Sequence, residues 1–244
     1  MKKFFSSLIF LSLLIIFIGS GLLLFQNVED EHQYHHMEEQ IEEEKQILVE
    51  EDFEFEELVE NNEINKDTIG WITIAGTSID YPIVQAGDNC YYLTHDCNCN
   101  ESKYGSIFMD CHNTADFSDN HTILYGHNME NGSMFHDLNE YSSHVFFDEH
   151  TYIEVYSQDT YLKWKVFSTY STEPDFNYLQ TTFDSPEEYS IFLNALLSHS
   201  EFSDEKVQVT AEDKILTLST CSNDLENGRR VVHAKLVEKV IDDE

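Results

Sequence analysis

From Thr68 onward the sequence consists of short β-prone runs separated by turn residues, and this pattern constrains the fold more than any other feature. The runs are residues 69–85, 121–128, 151–171, 214–220 and 229–240. Residues 76–77 divide the first run into two strands, and residues 158–159 turn the third into a hairpin. Many strands with few helices in one domain, residues 68–244, predict a closed β-barrel or a β-sandwich.

One helix stands out within this β-rich region. The segment "DSPEEYSIFLNALLSHSEF", residues 184–202, contains a helix start signal followed by apolar residues at helical spacing. Ser185 is the expected N-cap, Pro186 suits the first turn, and Glu188 is expected to complete a capping box with Ser185. The sequence therefore predicts one helix before the last two strands.

The charge of the chain excludes one class of function. The formal net charge is −34, from 13 basic and 47 acidic residues. Binding to nucleic acid requires a basic stripe that neutralises phosphates, and the sequence contains none. We therefore do not expect a nucleic-acid partner. The hydrophobic content of 41%, with only nine glycines and three prolines, is that of a folding chain.

The N-terminus predicts a membrane anchor in residues 1–25. Two lysines precede about twenty mostly apolar residues, which is enough to cross the roughly 30 Å of bilayer hydrocarbon as a helix. A cleaved signal peptide is the alternative, but the apolar run continues past the small residues where cleavage would occur. Because the lysines favour the cytoplasm, we expect a single-pass protein whose domain after Phe25 lies outside the cell membrane.

Residues 26–67 predict an acidic stalk that leads into the domain. Residues 29–63 hold much of the acid and little base, so any short amphipathic helices there are weakened by like charge. The favoured interpretation is a solvated stalk with N-terminal helical structure. A metal-binding tail is the alternative, although the segment lacks the regular ligand spacing of a calcium loop.

The chain has five cysteines, and Cys221 lies far from the other four in sequence. A lone cysteine at the end of a strand is most often a small buried hydrophobic residue. A nucleophilic thiol instead requires a base or a positive charge nearby, because its usual pKa is about 8.5. In a chain so poor in basic residues, the adjacent Arg229 and Arg230 open the next strand and provide such a charge. Their expected task is to stabilise negative charge on a tetrahedral intermediate.

A separate histidine must exchange protons with the thiol and the leaving group, and two candidates remain among twelve. His127 ends an apolar strand, follows a glycine and precedes a polar loop, which presents its side chain at a barrel rim. His233 is nearer in sequence to Cys221 but lies within the strand "VVHAKL". The sequence favours His127 and assigns His233 to local hydrogen bonding in a strand.

Two motifs in this order resemble the sortases, the cysteine transpeptidases of Gram-positive surfaces. They are "TLSTC", followed by an arginine that opens an apolar strand, and "ILYGHNM" upstream. The segments "SKYGSIFMD", "YGHNMENGSMF" and "DFNYLQTTF" resemble class B members, and the resemblance extends from Ile69 to Val240. It implies a sortase β-barrel of seven or eight strands, with N-terminal helical structure and a long helix at residues 185–200.

The resemblance also implies a catalytic set and a reaction. The set is His127, Cys221 and Arg229, the arginine being counted back from "AKL". By alternation on the strand, Arg230 then faces the other way. Cys221 attacks the bond after Thr in a C-terminal sorting signal, NPxTN-like or PxTG-like, on a secreted protein. An amine from a peptidoglycan precursor or from a pilin subunit then resolves the acyl-enzyme. No cofactor or metal is implied.

The resemblance marks further positions near the substrate groove. They are Asn89, Leu93, Tyr178, Leu179, Ser219 and Thr220. For each of them, ordinary packing or strand hydrogen bonding is an equally good explanation of the residue type.

The segment from Cys90 to His112 carries four cysteines that the reaction does not need. They are expected to form one or two disulfides or to remain thiols. A metal site is the minor alternative, with Cys97, Cys99, Cys111 and His112 as its ligands.

Two other classes of function stay open at the level of sequence. A papain-like hydrolase would use Cys221 with His233, because that family places its cysteine before its histidine. A non-catalytic anchored binding module would leave the Cys221 thiol inert.

Overall fold

The computed structural model describes residues 2–49, 65–157, 160–225 and 227–241. Within the first range, the side chains of residues 2–17, 23, 27, 44 and 46–49 are not described. The chain divides into two compact units, Met1–Glu43 and Glu44–Glu244. The second unit contains every strand of the described ranges.

Nine strands and three α-helices make up the described chain. The strands are β1 Thr68–Thr73, β2 Asp80–Val84, β3 Ile107–Met109, β4 His121–Tyr125, β5 Tyr152–Ser157, β6 Thr160–Thr172, β7 Phe202–Ser203, β8 Ile215–Cys221 and β9 Arg229–Ile241. The helices are α1 Lys2–Val49, α2 His144–Glu149 and α3 Pro186–His199, with two 3-10 helices at Tyr91–Leu93 and His136–Ser142. The hairpin expected between β5 and β6 is present, although its turn, residues 158–159, lies outside the described residues.

Eight of the strands close into a barrel. The order around it is β5-β1-β2-β3-β4-β8-β9-β6, and β6 pairs again with β5 to complete the ring. The two-residue strand β7 pairs with β6 outside the ring. The predicted mainly β fold, a closed barrel of seven to eight strands with an N-terminal helix and a helix before the last strands, is therefore confirmed.

Strand β8 is buried along almost its whole length and lies between β4 and β9. In β8 every residue from Ile215 to Thr220 is buried, and only the last residue, Cys221, is exposed. Two strands flank β8, with β4 parallel to it and β9 antiparallel. A strand buried on both faces is well ordered to its last residue, so its end provides a rigid site for a functional side chain.

Helix α3 begins as the sequence predicts, with one difference in its cap. The Ser185 hydroxyl accepts a hydrogen bond from the Glu188 backbone N–H at 3.2 Å. The Glu188 carboxylate does not return to Ser185. It accepts instead from the Asp184 N–H at 2.6 Å and from the side-chain amide of Gln180 at 2.8 Å. The predicted capping box is therefore wrong in its second bond, because the preceding loop offers two donors to the same carboxylate.

Helix α3 covers one face of the barrel with an apolar stripe. Its buried residues are Tyr189, Phe192, Leu193 and Leu196. They pack in one cluster with Phe167, Tyr170, Tyr178, Ile215 and Val231. The helix therefore covers the strands that lead to Cys221 and Arg229.

Helix α1 runs without a break from Lys2 to Val49, through the predicted anchor and the first half of the predicted stalk. The rest of the stalk includes residues 50–64, which lie outside the described residues. Within the part of the chain that is described, no helix combines the length and the apolarity needed to cross a bilayer. The anchor in residues 1–25 stays a prediction.

Candidate active site

Three neighbouring strands bring together the residues expected to carry the chemistry: β8 ends at Cys221, β9 begins at Arg229, and β4 ends two residues before His127. In the parallel pair, Tyr125 of β4 lies opposite Ser219 of β8. The Gly126 N–H then donates to the Ser219 carbonyl at 3.3 Å, so the pairing continues toward His127 and Cys221. In the antiparallel pair, Cys221 lies directly opposite Arg229. The thiol is therefore central, with the histidine on one side and the arginine on the other.

The Cys221 side chain is exposed, and its backbone is fixed by two asparagines. The Cys221 carbonyl accepts from the side-chain amides of Asn128 at 3.1 Å and Asn139 at 3.2 Å. The Asn139 side chain also accepts from the Asn223 N–H at 2.9 Å. The sequence reasoning missed both asparagines, although Asn128 directly follows His127 and could have been suspected on that ground.

The ring of His127 is oriented by the segment before β3. Its Nε2 lies 2.7 Å from the carbonyl oxygen of Leu93. Because a carbonyl oxygen only accepts hydrogen bonds, Nε2 carries the proton and Nδ1 is left to exchange a proton with another group. Gly105 backs the same ring with φ +59°, and a Cβ there would lie 2.5 Å from the Tyr92 oxygen and 3.1 Å from His127 Cδ2. Only glycine fits this position.

Arg229 lies half-buried at the start of β9, and its Nη1 donates to the carbonyls of Asn227 and Gly228 at 3.2 and 3.0 Å. Tyr178 lies within electrostatic reach of both Arg229 and Cys221. Burial raises the pKa of the Tyr178 phenol, the Ser219 hydrogen bond and the Arg229 charge oppose that shift, and Cys221 adds to it. The Tyr178 hydroxyl lies 2.9 Å from that of Ser219, two residues before Cys221, so the loop that carries Tyr178 is a neighbour of the nucleophile.

Arg230 faces away from the sulfur, as alternation along the strand requires. Its partner across the ladder is Thr220, and its side chain is fully buried. Its guanidinium pairs with Glu201 at 2.7 Å and with Asp224. This arginine therefore joins the loop between β8 and β9 to the residue before β7. The register counted back from Ala234 is the one that the structure shows.

His233 lies in the core and cannot replace His127. It is fully buried, and its partner across the ladder is Thr217, which lies four residues before Cys221 in β8. Its two ring nitrogens bond the hydroxyls of Thr217 at 2.7 Å and Tyr170 at 2.8 Å. Burial and the neighbouring His121 hold the pKa of His233 well below its usual value. A papain-like arrangement of Cys221 with His233 is therefore incompatible with the structure.

The remaining predicted groove residues differ in exposure and in the bonds that they make. Leu93 and Leu179 are exposed, whereas Ser219 and Thr220 are buried within β8. Asn89 uses its side chain internally. It donates to the Asp110 carboxylate at 2.8 Å and accepts from the Cys111 N–H at 2.8 Å.

The cysteine-rich segment contains thiols rather than disulfides. All five cysteines lie in described ranges, and none is joined to another. The donor atoms of Asp110, Cys111 and His112 lie within 4.8 Å of one another, and this is the one such group in the described chain. Cys97 and Cys99 are not part of it. The Asp110 oxygens already accept hydrogen bonds from His112, Tyr125 and Asn89, so hydrogen bonding alone accounts for the group.

Comparison with known proteins agrees with this geometry. The family model of the sortase domain matches residues 72–237. Sortase B of Listeria monocytogenes is 41% identical over 186 residues, covering 75% of each chain. Sortase B of Staphylococcus aureus is 33% identical over 246 residues, covering 98% of this chain and 99% of that protein. A solved Staphylococcus aureus sortase B–substrate complex superposes with a TM-score of 0.77 at 32% identity, covering 86% of this chain and 99% of that one.

The fold, the three aligned strand ends and these relatives define a cysteine transpeptidase, and the chain belongs to the sortase family. Its curated and structural relatives are sortase B proteins, which places it in class B of that family.

Proposed function

We propose that the chain cleaves a C-terminal sorting signal after its threonine and transfers the secreted protein to an amine, with Cys221, His127 and Arg229 as its catalytic residues. One observation carries the proposal: β8 ends at Cys221, while its two neighbouring strands lead to His127 and begin at Arg229. A nucleophile between a proton-exchanging group and a fixed positive charge is what acyl transfer requires.

The first half of the reaction forms a thioester. The Cys221 thiolate attacks the threonine carbonyl carbon, and the carbonyl electrons move to oxygen as a tetrahedral intermediate forms. The Arg229 guanidinium stabilises that oxyanion. When the intermediate collapses, the carbon–nitrogen bond breaks and protonated His127 gives its proton to the departing amine. The threonine end of the substrate then remains bound to sulfur.

The second half transfers the acyl group. An acceptor amine attacks the thioester carbon, His127 takes a proton from the attacking nitrogen, and the carbon–sulfur bond breaks to return the thiolate. The acceptor is an amine of a peptidoglycan precursor or of a pilin subunit. Water attacks the same thioester less efficiently, so hydrolysis is the side reaction.

Substrate contacts come from the exposed apolar side chains beside the site. Leu93 and Leu179 are the exposed members of the predicted groove set. Tyr178 and Ser219 are buried and bonded to each other at 2.9 Å, whereas Thr220 pairs with Arg230 on the face away from the sulfur. Asn89 supports the groove through its bonds to residues 110 and 111. A Staphylococcus aureus relative has been solved with a substrate, which is consistent with a peptide groove in this family.

The same proposal includes a location outside the cell membrane. Two lysines precede the apolar run of residues 1–25, so a single-pass helix would leave the N-terminus in the cytoplasm and the barrel outside. This location would bring the site to secreted substrates and to cell-wall amines. Its support is the sequence pattern alone.

A peptide-library assay tests the proposed reaction. NPxTN-like and PxTG-like peptides are mixed with the wild-type chain and an amine acceptor, and products are identified by mass spectrometry. We expect cleavage after threonine and transfer to the amine, with no product from Cys221→Ala or His127→Ala. His233→Ala is the comparison variant: it lowers stability because the histidine is buried, yet its folded fraction should still cleave. Undiminished cleavage by Cys221→Ala would refute the proposal.

A further inference from the structure

The loop beside the nucleophile has no regular structure of its own. Residues 173–185 join β6 to α3 without forming helix or strand. Leu179 lies in the middle of this loop and is 45% exposed. An irregular segment keeps an exposed side chain in one place only if neighbouring residues are tied to the rigid part of the fold.

Two hydrogen bonds, one buried and one part-buried, hold the residues on either side of Leu179. The Tyr178 hydroxyl lies 2.9 Å from the Ser219 hydroxyl of β8. The Gln180 carbonyl lies 2.7 Å from Nδ1 of His121, which is fully buried in β4. The loop is thus held to the two strands whose ends lead to the proposed nucleophile and the proposed proton carrier.

The direction of the His121 bond follows from the groups around it. The Gln180 carbonyl only accepts, so His121 Nδ1 is the donor and its Nε2 accepts from the Thr217 hydroxyl at 2.6 Å. The Thr217 oxygen in turn accepts from Nδ1 of His233 at 2.7 Å, and Nε2 of His233 accepts from the Tyr170 hydroxyl at 2.8 Å. Each donor in this buried chain has one acceptor, so His121 is fixed as a neutral ring that points Nδ1–H at the loop.

We propose that His121 is a positioning residue that holds Leu179 beside the nucleophile through its bond to the Gln180 carbonyl. This inference rests on the proposed function, in which Leu179 contacts the sorting signal. A loop ordered before the substrate arrives does not lose conformational entropy on binding, so loss of this bond weakens substrate binding more than it slows chemistry.

Two amide substitutions separate the bond of His121 to the Gln180 carbonyl from its bond to the Thr217 hydroxyl. In His121→Asn, the amide nitrogen is as many bonds from Cβ as Nδ1, so it can still donate to the Gln180 carbonyl. In His121→Gln, the amide is as many bonds from Cβ as Nε2, so it can still bond Thr217 but leaves the loop carbonyl without its donor. Both variants lose one bond of the buried chain, and a purely structural role predicts similar effects.

The experiment measures kcat and KM for a cleaved sorting peptide with the full chain in detergent, together with thermal unfolding. We expect His121→Gln to raise KM by about tenfold with kcat changed less than about threefold, and His121→Asn to keep a KM within about threefold of wild type. Leu179→Ala should raise KM in the wild-type background and add little in His121→Gln. Equal KM values for the two amide variants would overturn the proposal.

Further readouts keep the test decisive if His121→Gln does not fold or if no peptide is cleaved. Thr217→Val removes the hydroxyl that bonds His121 and His233 but leaves the His121–Gln180 bond intact. It should therefore lower stability and leave KM unchanged. A tenfold higher KM for this variant or for His121→Asn would overturn the proposal. If the wild type cleaves nothing, the proposed function fails on its own. Hydrogen exchange then tests whether the His121–Gln180 bond orders the loop. If it does, the backbone amides of residues 176–183 should exchange faster in His121→Gln than in His121→Asn.

Discussion

Among the single residues, the adjacent Arg229 and Arg230 have opposite environments, because side chains alternate along a strand. Arg229 lies opposite Cys221, whereas Arg230 is buried against Glu201 and Asp224. The choice of Arg229 came from the resemblance to the sortases, by counting back from "AKL", and the strand ladder places Arg229 opposite Cys221. The ion pairs of Arg230 were not predicted, because Glu201 is 29 residues away in sequence and Asp224 lies in the irregular connection between β8 and β9.

The arginine pair gives the first prediction. Arg229→Ala should lower kcat/KM by two to three orders of magnitude, about 3 to 4 kcal/mol, as expected for loss of an oxyanion donor. Arg229→Lys should recover little, because an ammonium group does not reproduce a planar guanidinium. Arg230→Ala should instead lower the free energy of unfolding by about 2 to 4 kcal/mol and change kcat/KM little in the folded fraction. Steady-state kinetics and denaturant unfolding measure the two effects, and an exchange of the two outcomes would refute the assignment.

The hydrogen bonds that position the site could not be predicted from the sequence, although Leu93 was predicted as a groove residue. Leu93, Asn128 and Asn139 act through hydrogen bonds that join positions 34, 93 and 82 residues apart. Two of these bonds end on the Cys221 carbonyl and one begins at the His127 ring. Backbone carbonyls leave no mark on residue type, so no motif indicates which side chain will reach them.

Among the secondary-structure elements, α3 was predicted well because its signals are local. Ser185, Pro186 and Glu188 mark its first turn in both sequence and structure. The second bond of the cap was predicted wrongly, because Asp184 and Gln180 compete for the Glu188 carboxylate. The pairing of β4 with β8 was also beyond local signals, since these strands are far apart in sequence and parallel.

The cap of α3 gives the second prediction. Ser185→Ala removes the acceptor of the Glu188 N–H and should lower the free energy of unfolding by about 1 kcal/mol. Ser198→Ala is a matched control on the same helix, because this exposed hydroxyl bonds only the Asn194 carbonyl one turn earlier. It should change stability by less than about 0.5 kcal/mol. Equal losses in the two variants, measured by urea unfolding, would show that the cap does not stabilise the helix.

For the whole molecule, the barrel buries two neutral histidines in one hydrogen-bonded chain. Burial lowers the pKa of His121 to about 4, and it also lowers that of His233. The class of fold was predictable, because many short strands with few helices favour a closed barrel. The buried chain was not, because each of its bonds joins residues from different strands.

The buried histidines give the third prediction, which concerns acid stability. Above about pH 6.5, His121 is neutral in both the folded and the unfolded state. As the pH falls from about 6.5 to about 4, the unfolded chain gains the proton first, so stability decreases by up to about 3 kcal/mol from His121 alone. The many carboxylates behind the net charge of −34 also gain protons in acid. The measured quantity is therefore the difference in free energy of unfolding between wild type and His121→Asn. The stability advantage of the wild type should shrink between pH 7 and pH 4.5, and a constant difference would contradict the prediction.

The central claim is that Cys221 forms the acyl-enzyme, and intact-protein mass spectrometry tests it most directly. The wild-type chain is mixed with a cleaved sorting peptide in the absence of an amine acceptor, quenched in acid and mapped by proteolysis. We expect an added mass equal to the fragment that ends at threonine, located on Cys221, released by hydroxylamine and absent from Cys221→Ala. An adduct on Cys90, Cys97, Cys99 or Cys111, or cleavage that continues in Cys221→Ala, would contradict the claim.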